Sequence, residues 1–137
     1  CGRTVLVIDA GVLAVALLDD GPDGDAARNR LHGEQLASPA LIDLEVASVW
    51  RGLARGGHLD PRRVGSALDD LRELPLQRVG HAPLLARCWE LGNNLTIYDA
   101  AYVALAEALQ VTLLTGDRRL ARATGPQCAI EVITTDR

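Results

Sequence analysis

The sequence predicts an α/β protein: a three-layer fold with a mostly parallel, twisted sheet of about five strands flanked by helices. Short β-branched runs such as Val5-Leu6-Val7-Ile8 are apolar on both sides, as strands buried on both faces require. Helical patterns separate each such run from the next. The length, 137 residues, suits a single domain (1–137) whose core needs no disulfide or zinc support.

The elements are read in order. After the first strand, residues 11–18 form a short apolar helix and residues 25–32 a polar one. Residues 36–38 are a weaker strand signal. Residues 41–55 make a long helix that Gly56-Gly57 ends. Asp60-Pro61 opens another, with Asp as N-cap and Pro at the first helical position, running to about Arg72. Residues 74–79 read as an edge strand because of Pro75. Residues 84–91 are helical after Pro83. Residues 98–109, Ala-rich and apolar nearly all round, make a central helix. Residues 111–114 and 130–133 are strands with a short helix, 118–123, between them. Trp50, Trp89, Tyr98 and Tyr102 are expected to pack in the core.

Composition excludes several chemistries. All fourteen basic residues are Arg, so Walker-type loops, Schiff-base lysines and kinase lysines are ruled out. Cys1, Cys88 and Cys128 share no pairing pattern, and His32, His58 and His81 show no HxxxH or HxH spacing. A disulfide framework and a His-ligated metal are therefore not expected, and a reduced cytoplasm is. No apolar run approaches the ~20 residues of a membrane span, and no signal peptide is read. With a formal net charge of -4, any contact with nucleic acid must use a local Arg patch or a bound cation.

Four carboxylates stand out. Asp9 follows the first strand, where it could cap the next helix or face the ligand crevice at the strand ends. Glu45 borders the apolar stripe of Ile42, Val46, Val49 and Leu53, and small Ser48 and Gly52 leave room beside it. Asp43 lies roughly 160° away around that helix and cannot share its site. Asp99 completes a Thr-x-x-Asp capping box with Thr96, yet Val103 and Ala106 make its helix face apolar. Asp117 follows another strand through Thr115-Gly116 and could cap the helix after it; Thr115 could bond a neighbouring carboxylate or support the turn.

The topology makes the combination more specific than its parts. In right-handed crossovers Asp9, Asp99 and Asp117 fall on one side of the sheet. At ~5 Å separation and an effective dielectric of ~20, each pair of such acids repels by about 3 kcal/mol. Either the acids are dispersed or a divalent cation neutralises them. An all-oxygen donor set selects Mg²⁺, with Mn²⁺ as substitute, over Zn²⁺.

Four segments carry a resemblance: Val7-Ile8-Asp9-Ala10, residues 39–51 (PALIDLEVASVWR), residues 94–107 (NLTIYDAAYVALAE) and residues 114–120 (LTGDRRL). Together the chain resembles the PIN-domain nucleases, and more narrowly the VapC toxins of bacterial type II toxin–antitoxin pairs. The resemblance implies a PIN-like fold, an acidic metal site of Asp9, Glu45, Asp99 and Asp117, a homodimer, and a cognate antitoxin. It implies Mg²⁺-dependent hydrolysis of RNA. Where that family commonly has Ser or Thr two residues after the first Asp, this chain has Gly11. Arg51, Arg55, Arg118, Arg119 and Arg122 could hold RNA phosphates or an acidic antitoxin segment, or simply lie on solvated faces. The alternative function is a non-catalytic PIN-like module that sequesters a protein or nucleic acid. A haloacid-dehalogenase-type phosphatase needs Asp-x-Asp at the first strand, where residue 11 is Gly, and a Lys, which is missing; a nucleotide-binding Rossmann domain needs Gly-x-Gly-x-x-Gly after the first strand, which is absent.

Overall fold

A computed structural model describes residues 5–133. Cys1 lies outside them. Five parallel strands form one sheet in the order β3-β2-β1-β4-β5. They are β1 (Val5–Ile8), β2 (Gln35–Pro39), β3 (Leu76–Val79), β4 (Thr112–Thr115) and β5 (Ile130–Val132). Seven α-helices connect and flank them: α1 (Ala10–Leu18), α2 (Pro22–Leu31), α3 (Ile42–Arg55), α4 (Pro61–Glu73), α5 (Leu85–Glu90), α6 (Ile97–Leu109) and α7 (Arg118–Arg122). A 3₁₀ turn, Ala82–Leu84, leads into α5. The three-layer α/β architecture is the one the alternating pattern predicts.

β1 is central and reads as a buried strand because it is one. Leu6, Val7 and Ile8 are at most 2% exposed, and β1 aligns Leu6 with Leu36 on one side and Thr112 on the other. α6 is buried from Ala100 to Ala106 without interruption, as its all-round apolar sequence requires. The chain leaves β1 toward β2 on one side, while β4 joins from the other. That reversal opens a crevice past the carboxyl ends of β1 and β4.

Differences from the sequence expectation have local causes. α2 begins at Pro22, three residues before the predicted start, with Gly21 as N-cap and Asp23 and Asp25 in its first turn; Pro at the first position is the signal that marks it. Gly24 is required there: a Cβ would stand 1.8 Å from the Asp19 carbonyl oxygen. The Arg28 guanidinium ties α2 down by donating to the carbonyls of Ala16 and Asp19. β3 starts at Leu76 because Leu74 caps α4 in an extended conformation, which the following Pro75 imposes. β3 is an edge strand, as Pro75 suggests.

The aromatic residues divide. Trp50 is 1% exposed and donates from its indole N–H to the Ala14 carbonyl, locking α3 to α1. Tyr102 is also buried. Trp89 and Tyr98 are 81% and 63% exposed, which corrects the expectation that they pack in the core. The buried stripe of the α5 region is Leu84, Cys88 and Leu91, and at helical spacing Trp89 falls beside that stripe and faces outward. Tyr98 sits in the first turn of α6, ahead of its buried run.

Candidate active site

The crevice past β1 and β4 gathers the acids. Asp9 immediately follows β1 and caps α1, its Oδ1 accepting the Val12 N–H at 3.0 Å. Its other oxygen, Oδ2, accepts a short hydrogen bond from the Thr115 hydroxyl at the end of β4. Capping and site-facing are thus compatible: each oxygen of one carboxylate has a separate partner. The Thr115 oxygen also accepts the Asp117 N–H at 3.0 Å, so one fully buried hydroxyl joins both strand ends. Thr115 therefore makes both contacts the sequence left open.

Glu45 projects from the first turn of α3, and its Oε1 accepts the Tyr102 hydroxyl at 2.6 Å. Asp99 occupies the first turn of α6. Its N–H donates to Thr96 Oγ1 at 3.0 Å, but no hydrogen bond among the described residues is accepted by its carboxylate. Only half of the capping box forms, which leaves that carboxylate to the crevice. A cleft of about 300 Å³ is lined by Asp9, Gly11, Glu45, Ser48, Asp99 and Tyr102, with Ala10 and Val49. A smaller one of about 230 Å³ beside it is lined by Asp99, Asp117, Arg119 and the 94–96 loop. Asp99 belongs to both.

The structure thus brings Asp9, Glu45 and Asp99 to one cleft and sets Asp117 in the adjoining one. Asp117 is the N-cap of α7, accepting the Arg119 N–H at 2.9 Å, with the Arg119 guanidinium 3.5 Å away. Asp43 is elsewhere, held by Arg78 in a two-pronged ion pair. Tyr102 is the site residue that sequence reasoning missed, taking it for core alone. Its spacing of three from Asp99 on one helix was the available signal.

Electrostatics mark the cleft. Burial pushes the Asp9 carboxyl above its ordinary range, against the hydrogen bonds from Thr115 and Val12, and the charges of Asp99 and Asp117 push it further. Glu45 is raised by burial, opposed by the Tyr102 hydroxyl, with Asp99 and Asp9 adding to the rise. Tyr102 is held protonated by burial and by donating to Glu45. Among the described residues no cation forms an ion pair with Asp9, Glu45 or Asp99. The donor set therefore fits a hard divalent cation: several carboxylate oxygens, no nitrogen or sulfur, and uncompensated negative charge. Among the described residues no three His, Cys, Asp or Glu side chains close to the spacing of a metal cage; the acids share a cleft without converging on one point. Gly11 lies beside Asp9, and a Cβ there would stand 3.7 Å from Asp9 Oδ1. The hydroxyl that supports Asp9 comes from Thr115 instead.

The arginines fall into two groups. Arg30, Arg78 and Arg87 tie elements together through Glu131, Asp43 and Glu107. Arg51, Arg55, Arg118 and Arg122 are exposed, and among the described residues they form no ion pair. Arg119 reaches only Asp117.

Comparison with known proteins bears on the family and the fold. Residues 6–126 match the family model described as the PIN domain. The chain belongs to the PIN-domain family. Within that family it is 41% identical over 129 residues to Ribonuclease VapC9 of Mycobacterium tuberculosis, a match covering 94% of this chain and 98% of that protein. It is therefore a member of the VapC ribonuclease group. Among solved structures, PAE2754 from Pyrobaculum aerophilum superposes with a TM-score of 0.67 at 25% identity, covering 94% of this chain and 84% of that one. A chain of a toxin–antitoxin complex from Klebsiella pneumoniae shares the fold, with a TM-score of 0.64 at 17% identity, over 96% of this chain and 99% of that one.

Proposed function

We propose that this PIN-domain protein is the toxin of a bacterial toxin–antitoxin pair, an endoribonuclease that hydrolyses RNA phosphodiesters with Mg²⁺, or Mn²⁺ in its place. The observation that carries this reading is the cleft that Asp9, Glu45 and Asp99 line together, with no counter-cation paired to them among the described residues. Asp9 and Asp99 would hold the ion, and Glu45 and Asp117 would complete the site directly or through water. Such an ion would supply a lowered pKa for a water and charge to offset that on the phosphoryl oxygens.

The chain's own groups position and polarise. Thr115 fixes Asp9 in one rotamer, so that its oxygens do not reorganise when charge develops. Tyr102 aims Glu45 and, staying protonated, leaves Glu45 as the acceptor for a proton released by the attacking water. Arg51, Arg55, Arg118 and Arg119 contact RNA phosphates or an acidic stretch of the antitoxin, which gives an acidic chain a local purchase on a polyanion. A cognate antitoxin is supported by the shared fold with a toxin–antitoxin complex. RNA as substrate is supported by the ribonuclease relatives and points to action in the cytoplasm. Two copies form the working unit. Among the described residues no helix is long and apolar enough to cross a membrane.

The decisive experiment incubates the purified chain with RNA and Mg²⁺, with an EDTA control and with Asp9→Asn and Asp99→Asn. Cleavage that needs the metal and is lost in both variants, with the fold intact, is expected. Unchanged cleavage by either variant rejects the assignment. Absence of any metal-dependent cleavage favours the binding-module alternative.

A further inference from the structure

The cleft that Asp9, Glu45 and Asp99 share is also lined by Ser48 and Tyr102. The Tyr102 hydroxyl is committed to Glu45, and the neighbouring Thr115 hydroxyl to Asp9. Ser48, in the middle of α3, is solvent-accessible, and among the described residues its hydroxyl makes no hydrogen bond. A mid-helix Ser can turn its hydroxyl back to the carbonyl four residues earlier. Ser48 does not bond Leu44 in that way and lines the cleft instead.

The surface of α3 leads on from there. Ser48 stands three residues beyond Glu45, the spacing that sets two side chains on one face with β-carbons about 5–6 Å apart. Around the helix, Arg55 falls within about 20° of Ser48 and Arg51 within about 60°. Along its axis, Ser48 is about 4.5 Å from Glu45, Arg51 about 9 Å and Arg55 about 15 Å. Gly52 lies between, where a Cβ would meet nothing within 4 Å, so α3 raises no obstacle between the acids and Arg55. Both arginines are exposed and, among the described residues, form no ion pair. A single strand that crosses the acids can thus lie along α3 with a ribose over Ser48 and its next phosphates near the two guanidiniums.

The chemistry of the lining says what Ser48 can read. Ionised carboxylates only accept hydrogen bonds, and guanidiniums only donate them. A hydroxyl does both, and so does the ribose 2′-hydroxyl, the group by which a protein tells RNA from DNA. In the hydrolysis proposed above the nucleophile is water. The 2′-hydroxyl therefore takes no part in the bond changes, and a preference for RNA must come from a binding contact. A base is a poorer match for this cleft, because its one aromatic ring, Tyr102, is 2% exposed and offers no face for stacking.

We infer that Ser48 exchanges a hydrogen bond with the 2′-hydroxyl of the nucleotide that adjoins the scissile phosphate on the α3 side, and that through it the cleft prefers ribonucleotides. The inference rests on the nuclease reading of the cleft and adds its sugar specificity.

The test compares single-stranded oligonucleotides. The linkage that the chain cuts is mapped by sequencing RNA 5′ ends, and a decamer spanning it is made all-ribose and with one deoxyribose on either side of the cut. Removing the 2′-hydroxyl on one side, and not on the other, should lower kcat/KM roughly three- to tenfold, chiefly through KM. Ser48→Ala should lower kcat/KM for the all-ribose decamer by the same factor and leave the deoxy-substituted decamer unchanged. Ser48→Thr, which keeps a hydroxyl, should retain the preference. Binding gives a readout independent of turnover: fluorescence anisotropy of a labelled decamer carrying all four bases, in ribo and deoxy forms, on Asp99→Asn and on Asp99→Asn with Ser48→Ala. The ribo form should bind Asp99→Asn roughly three- to tenfold tighter, and adding Ser48→Ala should abolish the difference. A preference that survives Ser48→Ala overturns the inference, as does the absence of any preference in the unaltered chain. Equal loss on both decamers overturns it in favour of a phosphate contact or a role through Glu45. Failure of the nuclease reading is separable. A chain that cuts nothing, yet binds the ribo strand tighter through Ser48, removes only the catalytic proposal; one that cuts RNA with a preference untouched by Ser48→Ala removes only this inference.

Discussion

Tyr102→Phe isolates one oxygen atom of the crevice. The Tyr102 side chain is 2% exposed, and its hydroxyl donates to Glu45 Oε1 at 2.6 Å. A hydrogen bond to an ionised partner contributes about 1.5–3 kcal/mol. Glu45 is only half-buried, so water recovers part of the loss and the lower end applies: about 1.5 kcal/mol at neutral pH. With an unfolding entropy of about 2.1 cal/mol/K per residue, a chain of this length should lose about 5 °C in Tm. The assay is thermal unfolding of Tyr102→Phe, Glu45→Ala and the double variant. The cycle should show a coupling of about 1 kcal/mol or more, shrinking in acid as Glu45 takes up its proton. The hydroxyl also lowers the Glu45 pKa, so Tyr102→Phe should move protonation of Glu45 to higher pH. Additivity of the two single variants to within about 0.4 kcal/mol would refute the idea that Tyr102 positions Glu45.

The metal-free protein should respond to pH in two opposite ways. Asp9 and Glu45 have folded pKa values raised above their unfolded ones, so the folded state binds more protons. Their contribution to stability rises as pH falls from neutrality through those raised values and levels off below the ordinary carboxylate range. Glu107 and Glu131 are lowered by Arg87 and Arg30; their contribution is present above the ordinary Glu value and is lost as pH falls below it. Tm should therefore pass through a maximum in mildly acidic solution, and a monotonic decline from neutral pH would contradict the cleft electrostatics. Mg²⁺ at about a hundred times its Kd should stabilise by about 2.7 kcal/mol, more at neutral than at acid pH, with the shift absent in Asp99→Asn by calorimetry. Thr115→Val should lose about 2 kcal/mol in denaturant unfolding, because two hydrogen bonds depend on its oxygen. Arg51→Ala and Arg55→Ala should each weaken RNA binding without regard to sequence and make the slope of log K against log salt shallower by about 0.7 for single-stranded RNA.

The fold was legible because its signals are local and repeated. A run such as Val5 to Ile8, short, β-branched and apolar on both sides, reads as a strand buried on both faces, and the Asp60-Pro61 and Gly56-Gly57 pairs mark helix ends by backbone chemistry. The acids were legible as strand-end and helix-start residues whose neighbours left room for a ligand. Tyr102 was hidden because a buried aromatic is almost always packing, and only Glu45, 57 residues away in the chain, turns its hydroxyl into a site group. Trp89 and Tyr98 were misread for the converse reason. Large apolar side chains default to the interior, and a single sequence does not record which helix face lacks a neighbour.

The Thr115 oxygen serves both Asp9 and Asp117, and each of those residues also begins a helix. The turns that follow the two strands thus meet at one atom, where β1 hands over to α1 and β4 to α7. Exchanging that hydroxyl for a methyl would unfasten both arms in a single step. The crevice should accordingly fail as one cooperative unit, instead of fading acid by acid.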